Sequence, residues 1–240
     1  MATVTHRSVL DEAQSLGLSD KFEVVPSDYF NLARTIFIAN PNAPTGLILS
    51  LSQIEEILIS NRESLVVIDE AYVDFGDESA IKLIEKYDNL LVIGTFSKSR
   101  NLAGARVGYA ISNPEIIQDL GKMKFSFNPY NLNRLSIIAG TQAMKDRAYF
   151  EKCTNLVKQA RAYTVQELGA LGFEILDSKA NFIFARNPRI SGQDYYLKLK
   201  ENGILVRWFN RDRIRDFVRI TIGTHEQMRA LADTTKEILK

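Results

Sequence analysis

Three short runs of the chain, "TIFIAN" (residues 35–40), "SLVVIDE" (64–70) and "NLLVIGTF" (89–96), are continuously apolar rather than alternating. Strands of that kind are buried on both faces, as in a parallel sheet. Between them, "SLSQIEEILISN" (50–61) and "DESAIKLIEKYD" (77–88) place apolar residues at helical spacing, so both are expected to be amphipathic helices. Strand and helix in alternation predict an α/β layer with right-handed crossovers.

The pattern continues with a strand at "RVGYAIS" (106–112) and a helix at "NPEIIQDLGKMK" (113–124), for which Asn113 is the expected cap and Pro114 the first residue. "FNPYN" (127–131) is a break. A long helical stretch follows from Leu132, interrupted near residues 145–147 and ended by Gly172. Beyond it the periodicity changes to three β-rich runs, "FEILDSKANFIFAR", "GILVRWF" and "DFVRITIGT", with helices expected over about residues 191–202 and 226–239. That mixture predicts a smaller α+β unit. The expected division is a large domain over residues 1–146 and a small domain over residues 147–240.

Composition narrows the field. The 240 residues carry a formal net charge of +1, and 45% are hydrophobic. A core of ordinary size follows. The balanced charge supplies no electrostatic footprint for nucleic acid or an anionic membrane surface. The arginines of "VRWFNRDRIRDFVR" are interleaved with Asp212 and Asp216, so that stretch reads as a solvated loop. One cysteine, Cys153, cannot close an internal disulfide, which points to a reducing compartment, and no apolar run reaches the length of a membrane helix. The chain is expected to be cytoplasmic. Its two histidines are far apart in sequence and no metal site is expected.

Chemistry gathers at the strand ends. "ANPNAPTG" (39–46) follows the first strand, Asp69 and Glu70 end the second, and Lys98 follows the third in "TFSKSRNLAGARVGY" (95–109). Open α/β sheets bind ligands outside the carboxyl ends of their strands, so these ends point at one crevice. A lysine amine can condense with an aldehyde. A carboxylate can hold a pyridinium nitrogen, and an arginine beside a serine can anchor a phosphate. Asp69, Lys98 and Arg106 are the three charges that pyridoxal phosphate requires. Glu70 could equally cap a helix.

The ordered set "NPNAPTG … DEAYVDF … TFSKSRNLAGARVGY … SKANFIFAR … GILVR … VRITIGT" resembles the class I/II aminotransferases of fold type I, and within them the histidinol-phosphate branch. The resemblance covers the chain from about Pro26 onward. It implies a partial large domain of the pyridoxal-phosphate transferase fold, mainly parallel with helices on both faces, and a small α+β C-terminal domain. It implies that Lys98 is the catalytic residue, forming the Schiff base and moving the proton at the substrate α-carbon. Asp69 would hold the ring nitrogen, Tyr72 the phenolic oxygen, and Ser97 and Arg106 the phosphate. Arg219 would grip the substrate carboxylate, with Asn181 and Arg207 lining the same region. L-histidinol phosphate would be the amino donor and 2-oxoglutarate the acceptor, in a homodimer. A related lyase such as a threonine-phosphate decarboxylase, or an inactive remnant, would share these motifs.

Two departures from the family pattern stand out. Ala43 occupies a position where relatives carry an asparagine for the cofactor, and Asn42 is the nearest substitute. Relatives also carry a longer N-terminal region, so this chain is expected to be truncated and to expose apolar surface on its large domain.

Overall fold

The computed structural model describes residue 22 and residues 25–76 and 78–240. Two compact units emerge. One comprises residues up to 40 together with 48–73 and 78–144; the other comprises residues 41–47, 74–77 and 145–240.

The first unit is built on a four-stranded sheet in the order β1 (Ile36–Ala39), β2 (Val66–Asp69), β3 (Leu90–Thr95), β4 (Gly108–Ser112). The first three strands are parallel, and β4 runs antiparallel to β3. Helix α1 (Leu51–Ser60) starts where Ser50 and Gln53 satisfy each other's backbone N–H groups in a capping box. It buries Ile54, Ile57 and Leu58, one stripe at spacing 3 and 4, against Ile36, Ile38, Val66, Ile68, Leu90 and Val92. Asn61 ends the helix: its side chain accepts the Leu32 N–H and donates to the carbonyls of Tyr29 and Ile57.

Two expectations need correction. Of the helix expected over residues 77–88, the described residues 78–88 do not form an α-helix; a short 3₁₀ turn, Ala80–Leu83, is followed by further turns. The carboxylate of Glu70 takes the Ala80 N–H, and Ser79 Oγ takes the Ile81 N–H, which fixes a tight start. Leu83, Ile84 and Tyr87 still reach the core from this tighter winding, so the apolar period is served without an α-helix. Second, β1 is not buried on both faces: Phe37 is 41% exposed, because β1 is an edge of the sheet. The strand expected over residues 106–112 forms as β4, the other edge; it is largely exposed and antiparallel, so the sheet is mixed and mainly parallel.

Helix α2 (Pro114–Phe127) opens on the Asn113 cap, and Pro114 is its first residue. Helix α3 (Arg134–Lys145) closes the first unit, burying Ser136 and Gly140. Much of the apolar surface of these two helices is open, with Met123, Phe125 and Leu135 all more than 60% exposed.

The second unit is an antiparallel sheet in the order β5 (Glu174–Ile175), β6 (Phe182–Arg186), β8 (Val218–Thr221), β7 (Arg207–Trp208). Helices α4 (Arg147–Ala170), α5 (Gly192–Glu201) and α6 (His225–Ile238) supply the rest of its core, in which Leu168, Tyr195, Leu199 and Leu231 meet Ile183, Ala185, Val218 and Ile220. Tyr195 is buried there with its hydroxyl 2.7 Å from Thr235 Oγ1. The Thr235 hydroxyl donates to the Leu231 carbonyl, so Tyr195 is the donor.

Candidate active site

In the first unit the carboxyl ends of β1, β2 and β3 lie side by side, with Ala39 registered on Asp69 and Asp69 on Ile93. Their loops leave along the same edge. Asp69 is half-buried, and its Oδ1 accepts the Ala71 N–H at 3.0 Å, which turns the chain away from the sheet. Tyr72 follows on that turn. The Nζ of Lys98 stands 5.4 Å from the centroid of the Tyr72 ring. Among the described residues Lys98 has no salt-bridge partner, although it is half-buried.

The loop after β3 is tightly specified. Thr95 Oγ1 lies 2.8 Å from Ser97 Oγ and accepts the Ser97 N–H at 3.1 Å. Arg100 Nη1 donates to the Ala143 carbonyl in the last turn of α3, a favourable end for a cation. Ring and backbone also meet closely here. Tyr109 lies so near Gly94 that a Cβ there would sit 2.3 Å from Tyr109 Cζ. Arg106 adopts a left-handed backbone, φ 57°, and donates through Nη1 to the Ala103 carbonyl at 2.9 Å. A side chain of that size in the left-handed region costs about 1–3 kcal/mol, and such strain clusters at binding sites. Arg106 is exposed and makes no bond to Asp69 or Glu70. Glu70 is instead a structural carboxylate, buried and bonded to Ser79 and Ala80.

In the second unit Arg219 and Arg207 are register partners on adjacent antiparallel strands. Val218 and Ile220 face the helices, so alternation puts Arg219 on the other face of the sheet. The Arg219 guanidinium lies 5.2 Å from the Phe182 ring and 5.9 Å from the Phe209 ring; that of Arg207 lies 5.4 Å from Phe209. Arg219 Nε is buried with no hydrogen-bond partner. A desolvated guanidinium N–H without an acceptor among the described residues is costly.

Asn181 precedes Phe182, and its carbonyl accepts the Ile222 N–H at 2.9 Å. Asn42 sits in the loop over residues 41–47, where its side chain accepts from Thr45 Oγ1 at 3.2 Å and its carbonyl accepts the Gly46 N–H. The Asn42 side chain therefore has a turn-closing task. Ala43 is joined to Pro44 by a cis peptide bond.

Asp69, Tyr72, Ser97, Lys98 and Arg106 thus fall in one unit, where Lys98 meets the Tyr72 ring, and Asn42, Asn181, Arg207 and Arg219 fall in the other, where Arg207 pairs in register with Arg219. Thr95, Phe182 and Phe209 were not singled out from the sequence. Thr95, two residues before Ser97 in "TFSKS", and Phe182, beside Asn181, were open to inference. Phe209 was not, because the run after Trp208 reads as loop. Among the described residues no three His, Cys, Asp or Glu side chains gather as metal ligands, and no helix is long and apolar enough to cross a membrane.

A three-charge strand edge on a parallel layer, followed in the same chain by a small antiparallel unit, is the organisation of the type I pyridoxal-phosphate transferases. The chain belongs to the class I and II aminotransferase family, whose description matches residues 23–234. It is 55% identical over 224 residues to the histidinol-phosphate aminotransferase of Brachyspira hyodysenteriae, covering 93% of this chain and 63% of that protein. It is 48% identical over 228 residues to histidinol-phosphate aminotransferase 2 of Dechloromonas aromatica, covering 95% and 64%. The chain therefore spans less than two thirds of the length of these relatives. The crystal structure of the histidinol-phosphate aminotransferase from Clostridium acetobutylicum superposes with a TM-score of 0.84 at 26% identity, covering 96% of this chain and 74% of that one. L-threonine-O-3-phosphate decarboxylase from Porphyromonas gingivalis, at 23% identity and a TM-score of 0.73, shares the fold.

Proposed function

We propose that this chain carries the catalytic lysine and the substrate arginine of a pyridoxal-phosphate-dependent transaminase that moves the amino group of L-histidinol phosphate to 2-oxoglutarate. The observation that carries the reading is Lys98: a half-buried amine beside Tyr72, without a salt-bridge partner among the described residues, following the strand next to the one that ends in Asp69. The choice of amino donor is supported by the names of the relatives.

The donor set fits the cofactor. An amine, a carboxylate, a hydroxyl and a strained guanidinium stand in one short stretch of fold, and each has a complementary group on pyridoxal phosphate. When bound, the cofactor supplies an electron sink that lets a proton leave the α-carbon of an amino substrate. Lys98 would anchor the aldehyde, be freed when the substrate amine takes its place on that carbon, and as the free amine take and return that proton. Asp69, held by the Ala71 N–H, keeps a proton on the ring nitrogen. The Tyr72 hydroxyl donates to the phenolic oxygen. Ser97, oriented by Thr95, and Arg106 hold the phosphate. Arg219 binds the substrate carboxylate or phosphate at its Nε, and Arg207 adds a second positive charge to the same strand pair. Asn181 lines that pocket, and Asn42 supports the turn over residues 41–47. We place this reaction in the cytoplasm and in a homodimer, for which the exposed apolar residues of α2 and α3 offer surface.

The test is a product assay with added pyridoxal phosphate, L-histidinol phosphate and 2-oxoglutarate. Glutamate formed in step with donor consumed supports transamination. Carbon dioxide released from L-threonine O-3-phosphate offered in place of L-histidinol phosphate, with no glutamate formed from either donor, would replace this reading with a decarboxylase.

A further inference from the structure

Arg161, on helix α4, has no role in the chemistry above, yet its guanidinium joins two loops. Its Nη1 donates to the Phe75 carbonyl at 3.0 Å and also to the Ala180 carbonyl. One turn earlier on the same helix face, Lys158 Nζ donates to the Gly76 carbonyl at 3.2 Å. Phe75 lies three residues beyond Tyr72, and Ala180 immediately precedes Asn181.

The second of these loops is fixed at every residue. Ser178 Oγ accepts the Ala180 N–H, the Lys179 N–H bonds the Gly46 carbonyl at 2.8 Å, and the Asn181 carbonyl accepts the Ile222 N–H. The Ala180 carbonyl is held by a side chain from a helix, that of Arg161. A half-buried guanidinium bonding two main-chain carbonyls has a planar, rigid donor array, so it sets distance and angle between the two segments. Both bonds leave one nitrogen whose N–H groups are fixed in the guanidinium plane; a lysine nitrogen also has enough donors, but they rotate freely and fix no angle between the two carbonyls.

We infer that Arg161 is a positioning residue, which sets the loop carrying Asn181 against the segment that follows Tyr72 and thereby aims Asn181 at the substrate anion. The substrate part of this inference rests on the function proposed above.

The test compares the full chain, with pyridoxal phosphate added, to Arg161→Met and Arg161→Lys. Amide hydrogen exchange is read over residues 75–76 and 178–182, and succinate, as a small dicarboxylate probe, is titrated against the cofactor absorbance. Arg161→Met is expected to speed exchange in those two segments alone and to weaken succinate about tenfold, the scale of one charged hydrogen bond. Arg161→Lys is expected to recover part of the affinity. Unchanged exchange in the two segments would overturn the inference, as would faster exchange spread evenly over residues 145–240, which would mark a merely structural contact. A wild-type chain that does not respond to succinate defeats the proposed function instead; the exchange pattern then decides the placement of the two loops by itself.

Discussion

Arg207 and Arg219 face each other directly across β7 and β8, and both guanidinium groups rest against the ring of Phe209. Like charges opposite one another on a sheet are destabilising. Arg219 adds a buried Nε with no acceptor. On the proposed assignment this arrangement would weaken the free protein and strengthen the one holding a substrate anion. Arg219→Met is therefore expected to weaken succinate about a hundredfold, given about 1.5–3 kcal/mol for each hydrogen bond to a charged group. Its urea midpoint should hold or rise. Loss of stability with unchanged succinate affinity would contradict the assignment.

The same opposition of stability and binding applies to Arg106. Glycine adopts the left-handed region without a steric cost. Arg106→Gly should leave stability within about 1 kcal/mol of the parent or above it, once the strain is relieved. Its affinity for pyridoxal phosphate should fall. Equilibrium dialysis of the cofactor beside urea unfolding separates the two effects.

Gly46 makes a prediction of the other kind. Its φ is 78°, and a Cβ there would stand 2.1 Å from Ser178 Oγ, 2.5 Å from Ser178 Cβ and 2.8 Å from Ser178 Cα. Gly46→Ala is expected to destabilise the second unit by at least about 2 kcal/mol, combining backbone strain and overpacking. Adding Ser178→Ala should not restore it, since removing the hydroxyl leaves the β-carbon and the backbone of that residue in the way. Chemical denaturation of the single and double variants checks this.

Tyr195 sets a pH dependence. Burial pushes its hydroxyl above the ordinary value of 10.0. The folded state then keeps a proton that the unfolded state releases, so this contribution to stability is full below pH 10 and declines as pH rises beyond it. Urea unfolding at pH 8, 10 and 11 should show the decline, and Tyr195→Phe should flatten it while losing about 1 kcal/mol at pH 8 for the hydrogen bond.

Much of this fold was legible because its signals are local. Continuous apolar runs marked β1, β2 and β3, and Asn113 with Pro114 marked the start of α2. The stretch over residues 77–88 misled because its amphipathic period is real, while its winding is set by Glu70, a residue from the end of another strand. Exposure of Phe37 and β4 depends on which strands are sheet edges, and periodicity carries no strand order. At the candidate site, the charges Asp69, Lys98 and Arg106 could be read from residue type at strand ends. The Phe209 ring between two guanidiniums could not, since it depends on the pairing of β7 with β8.

The central claim, that Lys98 is the amine that receives pyridoxal phosphate, is tested most directly by the absorption spectrum of the purified chain with added cofactor, beside Lys98→Ala. The account predicts a visible band in the parent, removed by borohydride treatment, and no such band in the variant. An identical spectrum in both proteins would contradict it.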